Sequence, residues 1–436
     1  MIKTLNPKNL KDLRDFVLNN KHILVSGAET STVIPFMHDK TMKDLFKDTV
    51  KLSLQSIKPQ IKLQGKIVTI EGAVTWKSLR ENIEAFDLDV PFWPTDQEAF
   101  VLSGLATSAT GERSFHYGNI KNYVESISVM DSSGETHIYH GSDSIEELFS
   151  QDDLDCLTQY NQEFSKYKKF KNGPFPIIEN PVDLFLGSEG QLGIITSCEL
   201  RLIPKKETVH LLYPIGEWEK SDDLSRFSLK ASECRDFILS CEFFDKNSVE
   251  LNPDLPLRKL DHIAFEVLED KLEEFICEMD LEEDFIRIIS ERKFHELRVA
   301  IPHGINEYMS QNGLTKKGTD VQVTKENFKE LVSLYRNLAK QGVPYVLFGH
   351  LGDQHLHFNF LCQKETEQKC LELLGDFYKE VQQFDSSPFA EHGIGVLKKD
   401  FIKSYHNKAS KNFFEVLKNK FDPQNKFFPQ GYMSDN

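Results

Sequence analysis

The stretch from residue 345 to residue 360 constrains the fold most, because it holds two strand-like runs around a tight reversal. YVLFGH and HLHFNF are rich in apolar and aromatic residues, and LGDQ between them contains a Gly-Asp pair that suits a hairpin turn. Amphipathic helical patterns flank this pair at residues 325–341 and 364–384. We therefore predict an antiparallel hairpin between two helices.

The second strand of this hairpin carries imidazoles on one face. Side chains alternate along a strand, so Leu356 points to one face while His355, His357 and Asn359 point to the other. His350, at the end of the partner strand, can approach them. Two interpretations stay open at this point: the histidines line the polar face of an edge strand, or they hold a divalent cation.

A second polar motif, AEHGIG at residues 390–395, follows the next helix. Two neutral imidazoles and one carboxylate would bind a divalent cation and leave positions open for a substrate. Consecutive residues of an extended chain cannot easily both bind one ion. We therefore expect Glu391 and His392 to have different roles, one on the metal and one on the substrate.

The first 204 residues are typical of short strands separated by glycine-rich turns. Strands are predicted at residues 22–27, 66–72, 126–139 and 192–204, with a helix at 76–86. The next hundred residues are acidic, so we predict a domain boundary near residue 205. The charged run at residues 266–285 is interpreted as a solvated amphipathic helix.

Composition excludes several classes of partner and favours a cytoplasmic protein. The formal net charge of −16 argues against nucleic acid or an anionic membrane surface, since both attract basic patches. Seven scattered cysteines, without a CxxC pair, indicate reduced packing residues. The polar N-terminal stretch is not expected to be a signal peptide, and no apolar run reaches the ~20 residues that span a bilayer.

In combination, these motifs resemble the FAD-linked oxidases of the vanillyl-alcohol oxidase and p-cresol methylhydroxylase (PCMH) type. Within them the sequence is most similar to the D-2-hydroxy acid dehydrogenases, which include D-lactate and D-2-hydroxyglutarate dehydrogenases and the flavin subunit of glycolate oxidase. The resemblance rests on GHLGDQHLHFN, AEHGIG, VTIEGAVTWKSLRE, LSGLATSATGERSFHYGNIKNYVESI, DLFLGSEGQLGIITSCELRLIP and FDPQNKFFP, which occur in the family order.

The resemblance implies an α+β fold with two domains. Residues 1–204 would form an FAD-binding domain of the PCMH type with two small subdomains. Residues 205–436 would form an α/β substrate (cap) domain with an antiparallel sheet, and the last residues would return to the flavin domain. No GxGxxG fingerprint joins a strand to a helix, which agrees with this kind of flavin domain.

The implied cofactor is FAD, held noncovalently because no histidine or cysteine stands where some relatives attach it. A pyrophosphate needs backbone N–H groups at turns built from glycine and small hydroxyl residues. Either GAETST or GLATSATG alone could be only a tight turn, but the two loops together favour a cofactor. The predicted contacts are Gly27, Ala28, Thr30, Ser31, Gly104, Thr107, Ser108 and Gly111; Ser114, Tyr117 and Gly118 near the flavin ring; and Glu189, Gly193 and Ile195 near the adenine and ribose.

The resemblance also implies roles in the C-terminal half. His350, His357 and Glu391 match the ligands of a divalent metal, either Zn, Mn or Fe. His392 matches the catalytic base. Arg298 and Asn359 match substrate contacts, and Lys316 or Lys317 would replace the family's second cationic contact. Arginine suits a carboxylate because its planar fork makes two charge-assisted bonds. The alternative for Arg298 is a surface salt bridge on a helix.

The sequence departs from the family pattern at several positions. Gln354 and His355 replace a Gly-Asn pair, so His355 is either a fourth ligand or, as we favour, a neighbour of the site. Glu29 places a negative charge where phosphates are expected. Ser103, Ser108 and Phe428 replace a glycine and two asparagines. These changes put substrate choice and flavin affinity in question.

The predicted function is oxidation of a small D-2-hydroxy acid to the 2-oxo acid, with hydride transfer to FAD. Electrons would pass to an electron-transfer flavoprotein, a quinone, a cytochrome or an iron-sulfur protein. Two alternatives stay open: a catalytically weak flavin-binding subunit of a larger dehydrogenase, and a metal-dependent hydrolase that uses the same histidines.

Overall fold

The computed structural model describes residues 2–36, 39–252, 255, 257 and 259–434. Contacts divide the chain into two units. Unit 1 comprises Met1–Thr110, Asn119–Lys205 and Glu391–Asn436. Unit 2 comprises Gly111–Gly118 and Lys206–Ala390. Among the described residues, none of the helices is both long enough and apolar enough to cross a membrane.

Unit 1 is built on three β-sheets within the described residues. Strand β3 lies between β1 and β2 in a parallel sheet, and a larger antiparallel sheet has the order β4-β5-β9-β7-β8, while β6 pairs with β10. The strands are β1 (Thr4–Leu5), β2 (Ile23–Ser26), β3 (Val50–Ser53), β4 (Gln60–Gln64), β5 (Ile67–Glu71), β6 (Leu88–Asp89), β7 (Val124–Met130), β8 (Thr136–His140), β9 (Ile194–Arg201) and β10 (Ile203–Pro204).

The predicted strands of this half are confirmed, and the turn between β7 and β8 shows why. The Asp131 carbonyl accepts the N–H of Gly134, whose φ of 76° is one that glycine adopts at no steric cost. The helices of unit 1 are Leu10–Asn19, Asp39–Leu45, Trp76–Ile83, Val101–Ala106, Gln151–Phe164, Lys399–Ile402 and Lys408–Phe421.

Two of these helices join distant parts of the sequence inside unit 1. Tyr160 of Gln151–Phe164 meets Phe413 of Lys408–Phe421 with ring centroids 5.1 Å apart. Each helix begins with a capping box, in which the first cap side chain and the third helical side chain satisfy each other's backbone N–H. An aromatic pair of this kind contributes about 0.5–1.5 kcal/mol beyond its burial.

Unit 2 is built on one antiparallel sheet of the order β14-β11-β13-β12-β17-β18-β16-β19, and β15 also pairs with β18. Its strands are β11 (Thr208–Ile215), β12 (Ile238–Phe244), β13 (Asp261–Leu268), β14 (Arg287–Ile289), β15 (Thr315–Gly318), β16 (Val321–Val323), β17 (Tyr345–His350), β18 (His355–Cys362) and β19 (Ser386–Ser387). Its helices are Ser114–Tyr117, Asp223–Glu233, Lys246–Glu250, Leu272–Met279, Glu291–Asn312, Phe328–Ala339 and Glu367–Val381.

The predicted hairpin is confirmed as β17 and β18, and so are the helices on either side of it. The mixed α+β fold with an antiparallel sheet in the C-terminal half is also confirmed. The edge-strand interpretation is wrong, because β18 pairs with β17, β16 and β15, and every one of its residues is buried. Both faces of this strand are therefore core.

The acidic run at residues 266–285 is only partly helical, so its interpretation as one solvated helix is corrected. Glu266 lies in β13 and is fully buried, and the helix covers only Leu272–Met279. Within that helix Phe275 and Met279 are buried, four residues apart on one face. Charge spacing alone did not distinguish a strand end from the helix that follows it.

The longest helix of the described residues, Glu291–Asn312, packs on one face of this sheet. Ser290 accepts the N–H of Lys293 at its start, and Gly313 ends it with a left-handed φ of 62°. Each fully buried aliphatic or aromatic side chain contributes about 1.5–3 kcal/mol. The buried apolar residues of the helix recur at the spacing of one face: Phe294, Leu297, Ile301, Ile305 and Met309.

Candidate functional site

One face of the unit 2 sheet changes from apolar to polar along its strands. Its apolar part lies under the helix Glu291–Asn312 and comprises Leu212, Phe244, Ala264, Val346 and Leu361. Two or more residues further along the same strands, the side chains are polar. We call this second part the polar face, and it comprises His210, Glu242, Glu266, His350, His355 and His357.

The register of the sheet explains why these side chains meet. Glu242 lies directly opposite His350, and His350 lies directly opposite His355. Residues directly opposite each other in an antiparallel pair share a face. The three therefore form a row across β12, β17 and β18.

Three imidazoles of the polar face are close enough to share a metal ion. His350, His355 and His357 each offer a ring nitrogen, and these atoms lie within 4.8 Å of one another. His350 Nδ1 lies 2.8 Å from Glu242 Oε1, and His357 Nδ1 lies 3.3 Å from the Thr319 carbonyl oxygen. Both oxygens accept, so both Nδ1 atoms donate, and Nε2 is the nitrogen available as a ligand on each ring.

His355 has a different anchor. Its Nε2 lies 3.1 Å from Asp320 Oδ1, so Nδ1 is its remaining ring nitrogen. The residue is fully buried, and its ring centroid lies 4.5 Å from that of His357. The donor chemistry of the three rings fits a divalent transition metal, and the role of His355 as a neighbour of the site stays a prediction.

Arg298 is buried rather than on the surface, so the surface salt-bridge alternative is wrong. It is 6% exposed, and its guanidinium contacts two carboxylates. Nη2 lies 3.4 Å from Glu242 Oε2, and Nη1 forms a close ion pair with Glu112 Oε2. Glu242 thus links the predicted substrate arginine to the predicted metal ligand His350.

A second buried ion pair lies in the same unit. Arg113 makes two parallel bonds to Glu266, Nη2 to Oε1 at 2.6 Å and Nε to Oε2 at 3.0 Å. Burial alone would raise the pKa of Glu266, but Arg113 outweighs that effect and holds the pKa below its ordinary value. His210 Nε2 lies 3.7 Å from the same carboxylate.

Sequence reasoning missed Glu112, Arg113, Glu242 and Glu266. The signal that could have found them is a lone carboxylate inside an apolar strand, as in SCEFF and AFEVL, or a Glu-Arg pair within a loop of small residues, as in GERS. A charge at such a position is buried only if it is paired.

The other predicted substrate contacts lie on neighbouring strands. The Asn359 side chain donates to the His357 carbonyl at 3.1 Å, and Gly318 lies opposite Asn359. A Cβ on Gly318 would lie 2.1 Å from Asn359 Oδ1, so only glycine fits there. Lys316 is exposed, and no hydrogen bond or ion pair joins it to the polar face among the described residues. Lys317 pairs with Glu367 at 2.7 Å.

The first predicted cofactor loop, in unit 1, offers backbone donors. The N–H groups of Ala28, Glu29, Thr30 and Ser31 have no hydrogen-bond partner within the described part of the chain. The negative charge of Glu29 is neutralised by Lys51, whose Nζ lies 2.5 Å from Oε1. Successive unpaired N–H groups at a turn suit a phosphate, so this loop fits the pyrophosphate of FAD.

The second predicted cofactor loop, residues 104–111, begins inside the helix Val101–Ala106, so its first three residues are helical rather than a turn. Ser108 has a left-handed φ of 48°, and its hydroxyl lies 2.7 Å from Asn172 Oδ1. Thr107 donates to the Ser103 carbonyl at 3.1 Å. A Cβ on Gly104 would lie 3.2 Å from the Trp76 ring, so the glycine permits close packing.

One polar group of this loop was missed by sequence reasoning. The Thr110 hydroxyl is buried without a hydrogen-bond partner in the part of the chain that the structure describes. An unpaired buried hydroxyl is costly unless a ligand satisfies it. Together with the unpaired N–H groups of the first loop, it fits a polar cofactor.

The four predicted contacts from Gly111 to Gly118 belong to unit 2. The Gly111 N–H donates to Ser114 Oγ at 3.0 Å. Ser114 and Tyr117 bound a short helix, and Gly118 ends it with a φ of 81°. The structure thus divides the predicted FAD contacts between the two units.

Glu189 of unit 1 contacts the loop that follows Glu391 and His392. Its carboxylate accepts the N–H of Ile394 at 2.6 Å and the N–H of Gly395 at 2.9 Å. Burial raises its pKa, although both N–H groups oppose that shift. Of its predicted neighbours, Ile195 lies in β9 and Gly193 directly precedes that strand, where a Cβ on Gly193 would lie 2.6 Å from the Val129 side chain.

Two protein-family models match the chain. The model of an FAD binding domain matches residues 7–139, and the model of the C-terminal domain of FAD linked oxidases matches residues 261–431. A mitochondrial protein of Schizosaccharomyces pombe, named provisionally as a D-lactate dehydrogenase, is 28% identical over 57% of this chain. The match spans only about half of that protein, 52% of its length.

Two further comparisons cover more of the chain. A mitochondrial D-2-hydroxyglutarate dehydrogenase of Danio rerio is 23% identical over 85% of this chain and 67% of its own length. A solved structure of alkyldihydroxyacetonephosphate synthase superposes with a TM-score of 0.62, covering 98% of this chain and 77% of that one at 14% identity. At that identity the structural likeness establishes the fold alone.

Proposed function

Because the chain belongs to the FAD-linked oxidases, within the group of the D-2-hydroxy acid dehydrogenases, we propose that it oxidises a small D-2-hydroxy acid to the 2-oxo acid. The observation that carries this proposal is the polar face of unit 2. It brings one ring nitrogen of each of three imidazoles within 4.8 Å of the others, and Glu242 connects one of these rings to a buried arginine.

The proposed reaction needs two bound groups. FAD would supply the hydride acceptor, and a divalent cation on His350, His357 and Glu391 would supply a Lewis acid that lowers the pKa of the substrate hydroxyl. His350 and His357 suit this role because hydrogen bonds at Nδ1 fix both rings with Nε2 as the ligand atom.

The side chains of this chain have the remaining roles. His392 is the proposed base and takes the hydroxyl proton on a ring nitrogen. Arg298 is the proposed partner of the substrate carboxylate, and Asn359 is a further substrate contact. Lys316 is the proposed second cation of the site: part of the residue is exposed in unit 2, and desolvation lowers the pKa of its ammonium.

The electron acceptor and the cell compartment are part of the same proposal. An electron-transfer flavoprotein, a quinone, a cytochrome or an iron-sulfur protein would each reoxidise the flavin. A cytoplasmic location stays a prediction, while the two named relatives are mitochondrial.

One observation favours a second candidate, the catalytically weak flavin-binding subunit. The Arg298 guanidinium already contacts the carboxylates of Glu112 and Glu242. A substrate carboxylate would then approach a positive charge that two negative charges have largely neutralised. Slow turnover with a normal flavin content would distinguish this candidate from an efficient dehydrogenase.

The test is an anaerobic flavin titration. Purified protein with bound FAD is mixed with a panel of D- and L-2-hydroxy acids, and the visible absorbance of the oxidised flavin is followed. We expect one or more D-acids to bleach it and their L-enantiomers to leave it unchanged. A flavin that no hydroxy acid reduces, or a purified protein that binds no FAD, would refute the proposal.

A variant tests the proposed base separately from the cofactor site. His392→Ala should keep its FAD but reduce the flavin more slowly, by about 10²–10⁴-fold, which is the usual contribution of a general base. The matched control is His140→Ala, an exposed position of unit 1 at the end of β8. Full activity in His392→Ala would remove this residue from the mechanism.

A further inference from the structure

The surroundings of Arg298 differ from those expected of an arginine whose charge is available to a substrate carboxylate. Its guanidinium lies between Glu112 of the segment Gly111–Gly118 and Glu242 of β12. Glu112 and Glu242 are 1% and 2% exposed, so water screens none of these charges effectively. A third carboxylate that approached this arginine would meet two others at short range.

Glu242 and Glu112 are not equivalent neighbours of the arginine. Glu242 also accepts the hydrogen bond from His350, so it has a structural role of its own. Glu112 has no such role, because within the described residues its carboxylate meets only the Arg298 guanidinium and, at 3.9 Å, His295 Nδ1. Glu112 is therefore the carboxylate that can lose its charge without breaking another hydrogen bond.

We infer that Glu112 is a specificity-determining residue that competes with the substrate carboxylate for Arg298, so that binding of an anionic substrate requires Glu112 to take up one proton. This inference rests on the proposed function, since it takes Arg298 as the group that meets the substrate carboxylate. The proton comes from solvent and stays on a Glu112 oxygen while the anion is bound.

The titration of Glu112 supports this geometry. The pKa of Glu112 is raised from its ordinary value of 4.5 to about 7: burial is the largest cause, Arg298 and Arg113 oppose the rise, and Glu242 and Glu266 add to it. A carboxyl with that pKa changes its charge near neutral pH. The charged and titratable groups that surround it are Arg298 and His295 on the helix Glu291–Asn312, Glu242 on β12, Glu266 on β13 and Arg113 on its own segment.

The experiment uses a ligand that cannot react. The anion of 2-hydroxyisobutyrate has the carboxylate and hydroxyl of a 2-hydroxy acid but no hydrogen on Cα, so no hydride can leave it. Its neutral amide is the matched probe without the charge. Binding of each compound to the FAD-loaded protein is measured by titration calorimetry at about pH 6 and about pH 8.

The anion is expected to bind wild-type protein about tenfold more weakly at about pH 8 than at about pH 6, because the proton must return to a group that titrates near 7. Glu112→Gln should bind the anion equally well at both pH values. The amide should show no such dependence in either protein. Glu296→Gln removes an exposed carboxylate of the same helix that carries Arg298, where the partner is Arg292; it is the control and should behave as wild type.

A measurement on wild type keeps the inference testable if Glu112→Gln does not fold. Calorimetry at about pH 8 in buffers of different ionisation enthalpy counts the protons taken up, and we expect about one per anion bound. No proton uptake, anion binding that does not change with pH, or a pH dependence shared by the amide would each overturn the inference. So would a failure of the anion to bind at either pH.

These outcomes separate the inference from the proposed reaction. Suppose that hydroxy acids fail to reduce the flavin, but that the anion binds wild type with uptake of one proton and Glu112→Gln abolishes that uptake. The inference then stands and the proposed reaction is refuted. If hydroxy acids reduce the flavin but Glu112→Gln leaves the pH dependence of binding unchanged, the reaction stands and the inference is refuted.

Discussion

Two buried ion pairs of unit 2 each join an arginine to a glutamate, but the pKa values of the two glutamates are shifted in opposite directions. Arg113 and Glu266 make two parallel bonds, and the pKa of Glu266 is held below its ordinary value. Arg298 shares its guanidinium between Glu112 and Glu242, and the pKa of Glu112 is raised to about 7. One arginine per carboxylate gives a stable pair, while one arginine between two carboxylates leaves one of them poised to accept a proton.

A buried charge can have a structural role or a functional one, and the two pairs differ in this respect. A matched pair is structural, because removal of either partner leaves an uncompensated charge in a low dielectric. A mismatched pair stores unfavourable electrostatic energy, which a ligand or a proton can relieve. Perturbed carboxyls of the second kind are more common at functional sites than elsewhere.

The largest expected effect is on the matched pair. Glu266→Gln leaves the Arg113 charge buried without its partner, so we expect the free energy of unfolding at neutral pH to fall by about 3–5 kcal/mol. Chemical denaturation monitored by circular dichroism measures it. Because the pKa of Glu266 is lowered, its contribution is present above the ordinary carboxyl pKa and is lost as the pH falls through the native value.

The control for this variant is an exposed ion pair of the same unit. Glu274→Gln breaks the contact with Lys271 at 2.8 Å, where both side chains are about half exposed, and should change stability by less than about 1 kcal/mol. If Glu266→Gln cost no more than Glu274→Gln, the matched pair would not be structural, and the comparison would fail.

Much of this region could be predicted from the sequence. The hairpin β17–β18 followed from the Gly-Asp turn and from strand composition, and the period of two placed His355, His357 and Asn359 on one face. Those signals are local, since each involves residues that are close together along the chain. The same holds for the helices that flank the hairpin, whose apolar residues recur at the spacing of one face.

What could not be predicted in this way is the cluster of buried polar groups formed by Glu112, Arg113, Glu242, Glu266, Arg298 and His350. Its members come from the segment Gly111–Gly118, from β12, β13 and β17, and from the helix Glu291–Asn312, and the order of strands in a sheet is not encoded locally. Charged residues are seldom fully buried, so the sequence pattern favours a solvated helix for Glu266 and leaves a surface salt bridge open for Arg298. Their partners, Arg113 and Glu112, lie more than a hundred residues away in the sequence.

The second prediction concerns the mismatched pair and has the opposite sign. Glu112 has a native pKa above its ordinary value of 4.5, so its favourable contribution is complete below 4.5 and is lost as the pH rises to about 7. Glu112→Gln resembles the protonated form at every pH. We therefore expect it to equal wild type in stability near pH 4 and to exceed it near pH 8 by at most about 3 kcal/mol.

Denaturation at the two pH values measures this difference. Glu296→Gln serves again as the exposed control, and its effect should not depend on pH because its partner, Arg292, stays charged. A Glu112→Gln protein that is less stable than wild type at pH 8 would show that the Arg298–Glu112 pair is matched after all. The contrast between the two arginines would then disappear.

The smallest expected effect concerns a buried carboxylate that pairs with backbone N–H groups and not with a guanidinium. Glu189 accepts two backbone N–H groups, from Ile394 and Gly395, in place of an arginine fork. A glutamine there can accept one N–H, while its own NH₂ group faces the other, so we expect a loss of about 1–3 kcal/mol. Glu179→Gln, which breaks partly exposed contacts with Lys121 and Lys168, is the control and should cost less than about 1 kcal/mol.

Amide hydrogen exchange gives the local readout for Glu189. The loop from Gly393 to Gly395 holds two glycines with left-handed φ values of 72° and 55°, and the N–H groups of Ile394 and Gly395 are the donors whose bonds to Glu189 the variant weakens. Exchange at Ile394 and Gly395 should accelerate in Glu189→Gln and remain unchanged in Glu179→Gln. This loop directly follows His392. Unchanged exchange in Glu189→Gln would show that the Glu189 carboxylate does not hold the loop in place, although the loop N–H groups stabilise the carboxylate.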